Sequence, residues 1–322
     1  MEYQLRIAEL NHLSMKTPPF GRPDLKAVYL TDAGLVAMAV IWGVNFSVIK
    51  VALTEIPPLA FNALRFPLAA VALVVMLRLQ GPLKMPKRSD VPRLVFLGLI
   101  GNVAYQLLFI YGLDLTLAGN AALVLSTTPV WTLIFATVLG LERHGGLVWI
   151  GVFGALVGMV FVVLGGATEV GIGEGLPTGD LLMVGSAGIW AVYTVGCQDL
   201  TRRYGALSVT TWTLGVGAIA LAVIGAPQVM HTDVRGLSTT VWVGVFYAGV
   251  MSIAVAYLLW YRGVEHIGSS RTAAFSNLVP LVALVVAWFW LGEQPAVTQM
   301  GGAAVIIGGV SLTRYASAKE AG

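Results

Sequence analysis

The chain of 322 residues is 57% hydrophobic and only 11% charged, against about 45–50% and about 25% in soluble domains. So few charges cannot wet the surface of a soluble protein. The net charge of +3 comes without the stacking or base-reading partners that a nucleic-acid interface needs, so nucleic acid is not an expected partner and the lipid bilayer is.

Residues 1–29 carry mixed charge, Thr17-Pro18-Pro19 and no apolar core with a cleavage site. They read as an N-terminal tail rather than a signal peptide. Apolar runs of about 20 residues, enough to cross a hydrocarbon layer about 30 Å thick, then recur from Leu30 to Tyr315. Spans are predicted near 30–53, 58–79, 91–113, 117–140 and 147–165, then near 178–200, 206–226, 238–263, 270–291 and 297–315. The expected fold is all-α: a polytopic membrane protein of ten transmembrane helices. The expected organisation is a first five-helix repeat over 30–165, a linker over 166–177, a second repeat over 178–315 and a C-terminal tail over 316–322.

Short loops rich in Lys and Arg stay in the cytoplasm. One side of the predicted bundle collects the basic residues of the tail, then Arg78, Lys84, Lys87, Arg88, Arg93, Arg143, Arg202, Arg203, Arg262, Arg271, Arg314 and Lys319. The other side has Lys50 and Arg235. Both termini are therefore expected to be cytoplasmic, in the cell (inner) membrane. Cys197 is the single cysteine, so no internal disulfide is possible, and its ordinary role is helix packing.

The two halves echo one another. Ile41-Trp42 matches Ile189-Trp190, Ala104-Tyr105 matches Ala256-Tyr257, and Pro129 with Glu142 matches Pro280 with Glu293. Five spans per half invert the second copy relative to the first, a pattern of secondary transporters whose substrate site lies near the midplane between the halves.

Trp42, Gly43 and Asn45 in the first span, Arg65 early in the second, and the Pro129–Glu142 and Pro280–Glu293 blocks resemble the drug/metabolite transporter superfamily, in its EamA-type exporter branch. The resemblance covers residues 30–315 and extends in general character to the YddG-like aromatic amino-acid exporters. It departs at Leu141, where the family often has Gly. It implies export of amino acids or other small metabolites. Another metabolite class, or a membrane scaffold without transport, is the alternative.

A polar side chain inside a span is costly unless it meets a partner or water. Trp42, Asn45, Phe46 and Ile49 share one face of the first span by three-and-four spacing. Tyr105 and Gln106 lie on a mixed stripe in the third, Trp190, Tyr193, Thr194 and Cys197 in the sixth, and Tyr257, Trp260 and Tyr261 in the eighth. These stripes line a central cavity, or else form interfacial belts and helix-packing contacts; for Trp260 and Tyr261 the belt is favoured. Pro129 and Pro280 cannot donate to the carbonyls of Leu125 and Ser276. Those carbonyls, with Ser126, Thr127, Ser276 and Asn277, either receive a substrate ammonium or mark simple kinks. Arg65 is a gating candidate, pairing with a substrate carboxylate or with Glu55, or it snorkels to the interface. Gly151, Gly154 and Gly158, and Gly301, Gly302, Ala304 and Gly308, form small faces for packing within or between monomers. The oligomeric expectation is a monomer or weak homodimer.

No H-E-x-x-H, G-x-S-x-G or Cys/His cluster appears, so neither an enzyme, nor a metal site, nor a cofactor is expected. Asp114, Asp180, Glu142 and Glu293 fall near span ends, which leaves the midplane without a proton carrier. The expected mechanism is alternating access by a rocking of two half-bundles, without obligatory proton exchange. If the basic side is cytoplasmic, a cysteine placed in 227–237 reacts with an impermeant thiol reagent on intact cells and one in 82–89 does not; the reverse pattern rejects the topology.

Overall fold

A computed structural model describes residues 25–80, 85–140, 143–169, 176–267, 272, 273 and 275–321. Glu142, Leu141, Arg271, most of the N-terminal tail and residues 170–175 of the linker lie outside the described residues. Among the described residues there are helices and no strand. Eight helices are long and apolar enough to cross a membrane, and the molecule is an all-α polytopic membrane protein.

Helix α1 is Leu25–Ala52 and α2 is Pro58–Gln80. Helix α3, Val91–Leu115, contains a π-helical stretch at Ile100–Ala104. Helix α4 spans Ala118–Val138 in two pieces, Ala118–Leu125 and Thr128–Val138. Next come α5, Gly146–Glu169, α6, Leu176–Tyr204, and α7, Ala206–His231. Helix α8 combines Thr239–Phe246, a π stretch at Tyr247–Val255, and Ala256–Ile267. Helix α9 is Leu278–Leu291, ending in a π turn at Ala287–Leu291, and α10 is Val297–Ala321. Helix α1 begins before residue 30, α5 runs past 165 and α10 runs past 315, because hydrophobicity marks the hydrocarbon layer while helix hydrogen bonding continues into water wherever good helix formers such as the Ala and Lys of 316–321 follow.

Contacts between the ends of these helices fix their directions. Thr116 and Asn120 meet Asp180, Leu59 and Ala60 meet Gln228, Ser238 meets Glu55, and Ala118 meets Glu293. The end of α1, the start of α2 and the end of α3 therefore share one face of the bundle with the starts of α4, α6 and α8. Helix α1 runs toward this end and α6, its counterpart, runs away from it: the second five-helix set is inverted.

The largest helix contacts all join the two sets: α5 with α10, α2 with α7, α3 with α6, and α1 with both α8 and α9. Glycine makes the α5–α10 pair possible. A Cβ on Gly309 would stand 2.5 Å from the Ala155 nitrogen and 2.6 Å from the Gly151 carbonyl, and one on Gly158 would stand 2.7 Å from the Gly302 carbonyl. The small faces thus pack against each other within the monomer. The register differs from the expected stripe, because Gly301 and Gly308 meet nothing within 4 Å while Gly302 and Gly309 carry the contact. Backbone atoms cannot retreat from an added side chain, and overpacking costs about 1–3 kcal/mol. Gly309→Leu should lower the thermal unfolding midpoint in detergent by several degrees while Gly308→Leu leaves it nearly unchanged; equal shifts would contradict this packing.

Candidate functional site

Two aromatic groups form where helices of the first and second sets meet. In the first, Tyr105 of α3 lies 4.8 Å from Trp190 of α6, Trp190 lies 5.1 Å from Tyr193, and Tyr105 stacks on Phe109 at 5.7 Å between ring centroids. Phe46 of α1 reaches Phe109 at 6.0 Å. In the second, Trp42 of α1 meets Trp260 at 5.8 Å and Tyr257 at 6.0 Å, and Tyr257 meets Tyr261 at 6.3 Å. Offset and edge-on pairs at such spacings contribute about 0.5–1.5 kcal/mol each beyond area burial. Five residues expected at the cavity, Trp42, Tyr105, Trp190, Tyr193 and Tyr257, belong to these groups. Trp260 and Tyr261 join them, Tyr261 bonding Thr210 at 2.5 Å. Their ring partners are in the protein.

The backbone is unusual beside both groups. In α3 the π stretch ends at Ala104, immediately before Tyr105, and in α8 it ends at Val255, two residues before Tyr257. Insertions of this kind recur at functional sites because they re-aim side chains and loosen the backbone ladder. Trp42 Nε1 donates to the Ser252 carbonyl within the second stretch at 2.8 Å. Each stretch also contains a glycine with no room for a side chain. A Cβ on Gly101 would fall 2.2 Å from the Tyr193 ring, and one on Gly249 2.8 Å from the Arg65 carbonyl. Sequence reasoning found the paired Ala-Tyr motifs but not these π stretches; Gly101 and Gly249, three and seven residues upstream of the two motif pairs Ala104-Tyr105 and Ala256-Tyr257, were the available signal.

At the end shared by Lys50 and Glu293, a clamp closes over the tight turn between α3 and α4. Lys50 Nζ donates to the carbonyls of Leu113, Asp114 and Thr116 at 3.0, 2.7 and 2.6 Å, capping α3. The Glu293 carboxylate accepts from the Ala118 and Gly119 nitrogens at 2.8 and 3.1 Å, capping α4. Both charges complement helix dipoles, positive at a C-terminus and negative at an N-terminus. Asp180, 0% exposed, accepts from Thr116 Oγ1 at 2.5 Å and Asn120 Nδ2 at 3.4 Å. Gln299 donates to Asn120 Oδ1 at 2.9 Å. Asp180, Glu293 and Gln299 come from the second set, and the turn they hold comes from the first. A cleft lined by Leu117, Asn120, Leu284 and Glu293 adjoins the clamp.

The opposite end is held by exposed ion pairs: Arg93 with Asp199 at 3.2 Å, Arg203 with Asp90 at 3.2 Å, and Arg203 with Asp199. Exposed pairs contribute about 1 kcal/mol or less, whereas a hydrogen bond to a charged group contributes about 1.5–3 kcal/mol. Of the two sets of described contacts, the clamp is the firmer.

The remaining candidates fall elsewhere. Arg65 is 2% exposed and bonds Gln106 at 2.8 Å, so it does not snorkel. Glu55 instead accepts from Ser238 at 2.8 Å. Asn45 is buried, and its Oδ1 has no hydrogen-bond partner among the described residues. Neither proline sits within a simple kink. Ser126-Thr127 and Ser276-Asn277 are turn residues that break their helices, and each proline lies in the first turn of the following piece, where its missing N–H is least costly. The carbonyls expected to be free are occupied, Leu125 by the Thr128 hydroxyl at 2.7 Å and Ser276 by the Val279 nitrogen at 3.2 Å. Ser126 bonds its own chain at Leu123. Arg314 of α10 donates to Asn277 Oδ1 at 2.8 Å, Ser276 Oγ at 3.1 Å and the Ala273 carbonyl. A cation does meet this break, and it is the protein's own.

The family model of the EamA-like transporter family matches residues 30–164 and 177–315. The chain is 29% identical over 277 residues to the "Uncharacterized transporter YyaM" of Bacillus subtilis, covering 86% of this chain and 90% of that protein. It is 29% identical over 287 residues to a "Probable terminal-alkyne amino-acid exporter" of Streptantibioticus cattleyicolor, covering 86% and 91%. A solved crystal structure superposes with a TM-score of 0.63 at 22% identity over 90% of this chain and 99% of that one, a likeness of fold.

Removing either charged cap of the clamp should cost about 1–2 kcal/mol and raise the open fraction of this end roughly fivefold to thirtyfold. In detergent-solubilised Cys197→Ser protein with Ala122→Cys beneath the clamp, Lys50→Met or Glu293→Ala should accelerate thiol labelling by that factor. Unaltered labelling would show that these caps do not hold the end shut.

Proposed function

The chain belongs to the EamA-like transporter family, and we propose that it exports small amphipathic metabolites, foremost amino acids with aromatic or large neutral side chains. One observation carries this reading: Tyr105, Trp190, Tyr193 and Phe109 come together at the junction of α3 and α6. Apolar and aromatic walls with few polar groups are the usual lining of a small-molecule site. The general likeness to YddG-like exporters and the printed name of the Streptantibioticus relative favour an amino acid over other metabolites. Trp42, Asn45, Gln106 and Tyr257 border the same region, and Asn45 offers an unoccupied acceptor. Ser126, Ser276 and Asn277 make polar contacts at the helix breaks, and for them a role in helix rearrangement fits better than direct contact with solute.

The clamped end is read as external, with both termini cytoplasmic in the inner membrane, from the basic residues at the opposite end. Opening then alternates between the clamp and the ion pairs of the basic end. The five-helix sets interleave, so the rocking bodies take helices from both. Asp114, Asp180 and Glu293 lie at the clamp rather than beside the aromatic groups, which favours movement down the solute's own gradient without obligatory proton exchange.

Labelled solutes tested in proteoliposomes should show counterflow of aromatic amino acids that does not depend on a pH gradient at clamped membrane potential. Trp190→Ala and Asn45→Ala should reduce it at least about tenfold, the effect of losing roughly 1.4 kcal/mol of binding. Full flux in both variants would reject the site. Accumulation driven by the pH gradient and lost in Asp180→Asn would reject the uncoupled mechanism.

A further inference from the structure

We propose that Arg65 is the counter-charge for a carboxylate on the transported solute; the inference rests on the metabolite-export reading and narrows its substrates to acids and zwitterions. Arg65 is the eighth residue of α2, about 11 Å along the helix at 1.5 Å per residue, and it is 2% exposed. A guanidinium remains charged under all working conditions, and a charge at such depth is costly without a partner. The partners it has are neutral. Nε donates to Asn62 Oδ1 at 2.9 Å and Nη2 to Gln106 Oε1 at 2.8 Å. The rings of Phe61, Phe66 and Phe109 lie 5.1, 5.2 and 6.0 Å from Cζ.

Among the described residues no carboxylate pairs with Arg65, and Nη1 has no hydrogen bond. The other cations within the bundle are saturated, Lys50 by three carbonyls and Arg314 by a carbonyl, an amide oxygen and a hydroxyl. A resident acid would neutralise Arg65 permanently. Amide oxygens and aromatic faces soften the charge yet leave it free to attract an anion, the arrangement required of a site that is empty for part of each cycle.

Its position suits the same task. Gln106 adjoins Tyr105, which packs on Trp190 and Phe109, so the guanidinium lies at the edge of the first aromatic group. A carboxylate on Nη1 would leave an apolar side chain of the same molecule directed toward those rings. Charge-assisted bonds to a guanidinium are the stronger class of hydrogen bond, and the acid should be preferred over its uncharged amide.

The experiment compares phenylalanine with phenylalaninamide, and phenylacetate with phenylacetamide, in proteoliposomes of the purified full-length protein. Wild type should move each acid at least about tenfold better than its amide, and Arg65→Gln should abolish that preference. Gln106→Glu supplies a resident carboxylate beside Arg65 without removing the cation; it should keep the protein folded, by its melting temperature, and suppress acid uptake. A purely structural tie between α2 and α3 predicts unchanged acid uptake in Gln106→Glu, which overturns the proposal even if Arg65→Gln fails to fold. Amides moving as well as acids, a preference surviving in Arg65→Gln, or no acid moving at all also overturns it. Uptake of phenylacetate but not of phenylalanine supports the role of Arg65 while rejecting the amino-acid reading.

Discussion

Hydrocarbon supplies no hydrogen bonds, so every backbone polar group carried into the bilayer must be satisfied by the protein itself. The irregular parts of this bundle are arranged around that demand. Where α4 breaks, the Thr128 hydroxyl takes the Leu125 carbonyl; where the chain breaks before α9, Arg314 of α10 bonds the turn. In the π stretch of α8, Trp42 of α1 takes the Ser252 carbonyl. The Thr128 repair is local to α4, whereas the repairs from α1 and α10 tie separate helices together. A change of conformation that moved α1 against α8, or α10 against the break before α9, would have to exchange these partners.

The interleaving of the two sets makes this demand global. Helices α2 and α7, α3 and α6, and α5 and α10 are mutual partners drawn from opposite sets, so neither set buries its apolar surface alone. The α5–α10 contact, with glycine backbone against backbone, has no slack for sliding and serves as a fixed pillar. The clamp lies across the same division, with a turn of the first set held by Asp180, Glu293 and Gln299 of the second. Its loss would free the α3–α4 turn while leaving the pillar intact.

Much of this was legible in the sequence. Hydropathy located eight of the ten expected spans as long apolar helices among the described residues, and odd-numbered halves with matching Trp, Ala-Tyr and Pro–Glu marks implied inversion. The stripes picked out Trp42, Tyr105, Trp190, Tyr193 and Tyr257 because three-and-four spacing survives helix packing. What escaped was everything decided by a partner distant in the chain. Nothing local to Lys50 reveals that it caps a helix 63 residues later. Asp180 reads as a boundary residue because it is the fifth residue of α6, yet packing against α4 takes it out of water entirely. For Arg65 the sequence leaves snorkelling open beside a gating role, because depth is judged along one helix, whereas its direction is set by Gln106 and three phenylalanines. Even Pro129 and Pro280 misled in detail: a proline implies a lost hydrogen bond, but not that a neighbouring hydroxyl or amide will recover it.

The unequal ends bear on what the solute must do. The clamp is made of part-buried, charge-assisted contacts around the buried Asp180, while the opposite end carries exposed ion pairs together with the Tyr204–Asp90 hydrogen bond. In the proposed alternating access, opening the clamped end would give up these contacts, so the clamp would favour that end closed in the empty protein. A ligand shifts such an equilibrium only by the difference in its affinity for the two states. Aromatic rings contributed by α3 and α6, with α1 reaching in through Phe46, belong to helices joined across both sets, so a molecule wedged among them changes the spacing of those helices directly. In the proposed mechanism the solute's apolar body would act on the same helices that meet the clamp: α3 terminates under Lys50, and Asp180 lies near the start of α6. Coupling between site and gate then needs no relay beyond the rigid lengths of two helices.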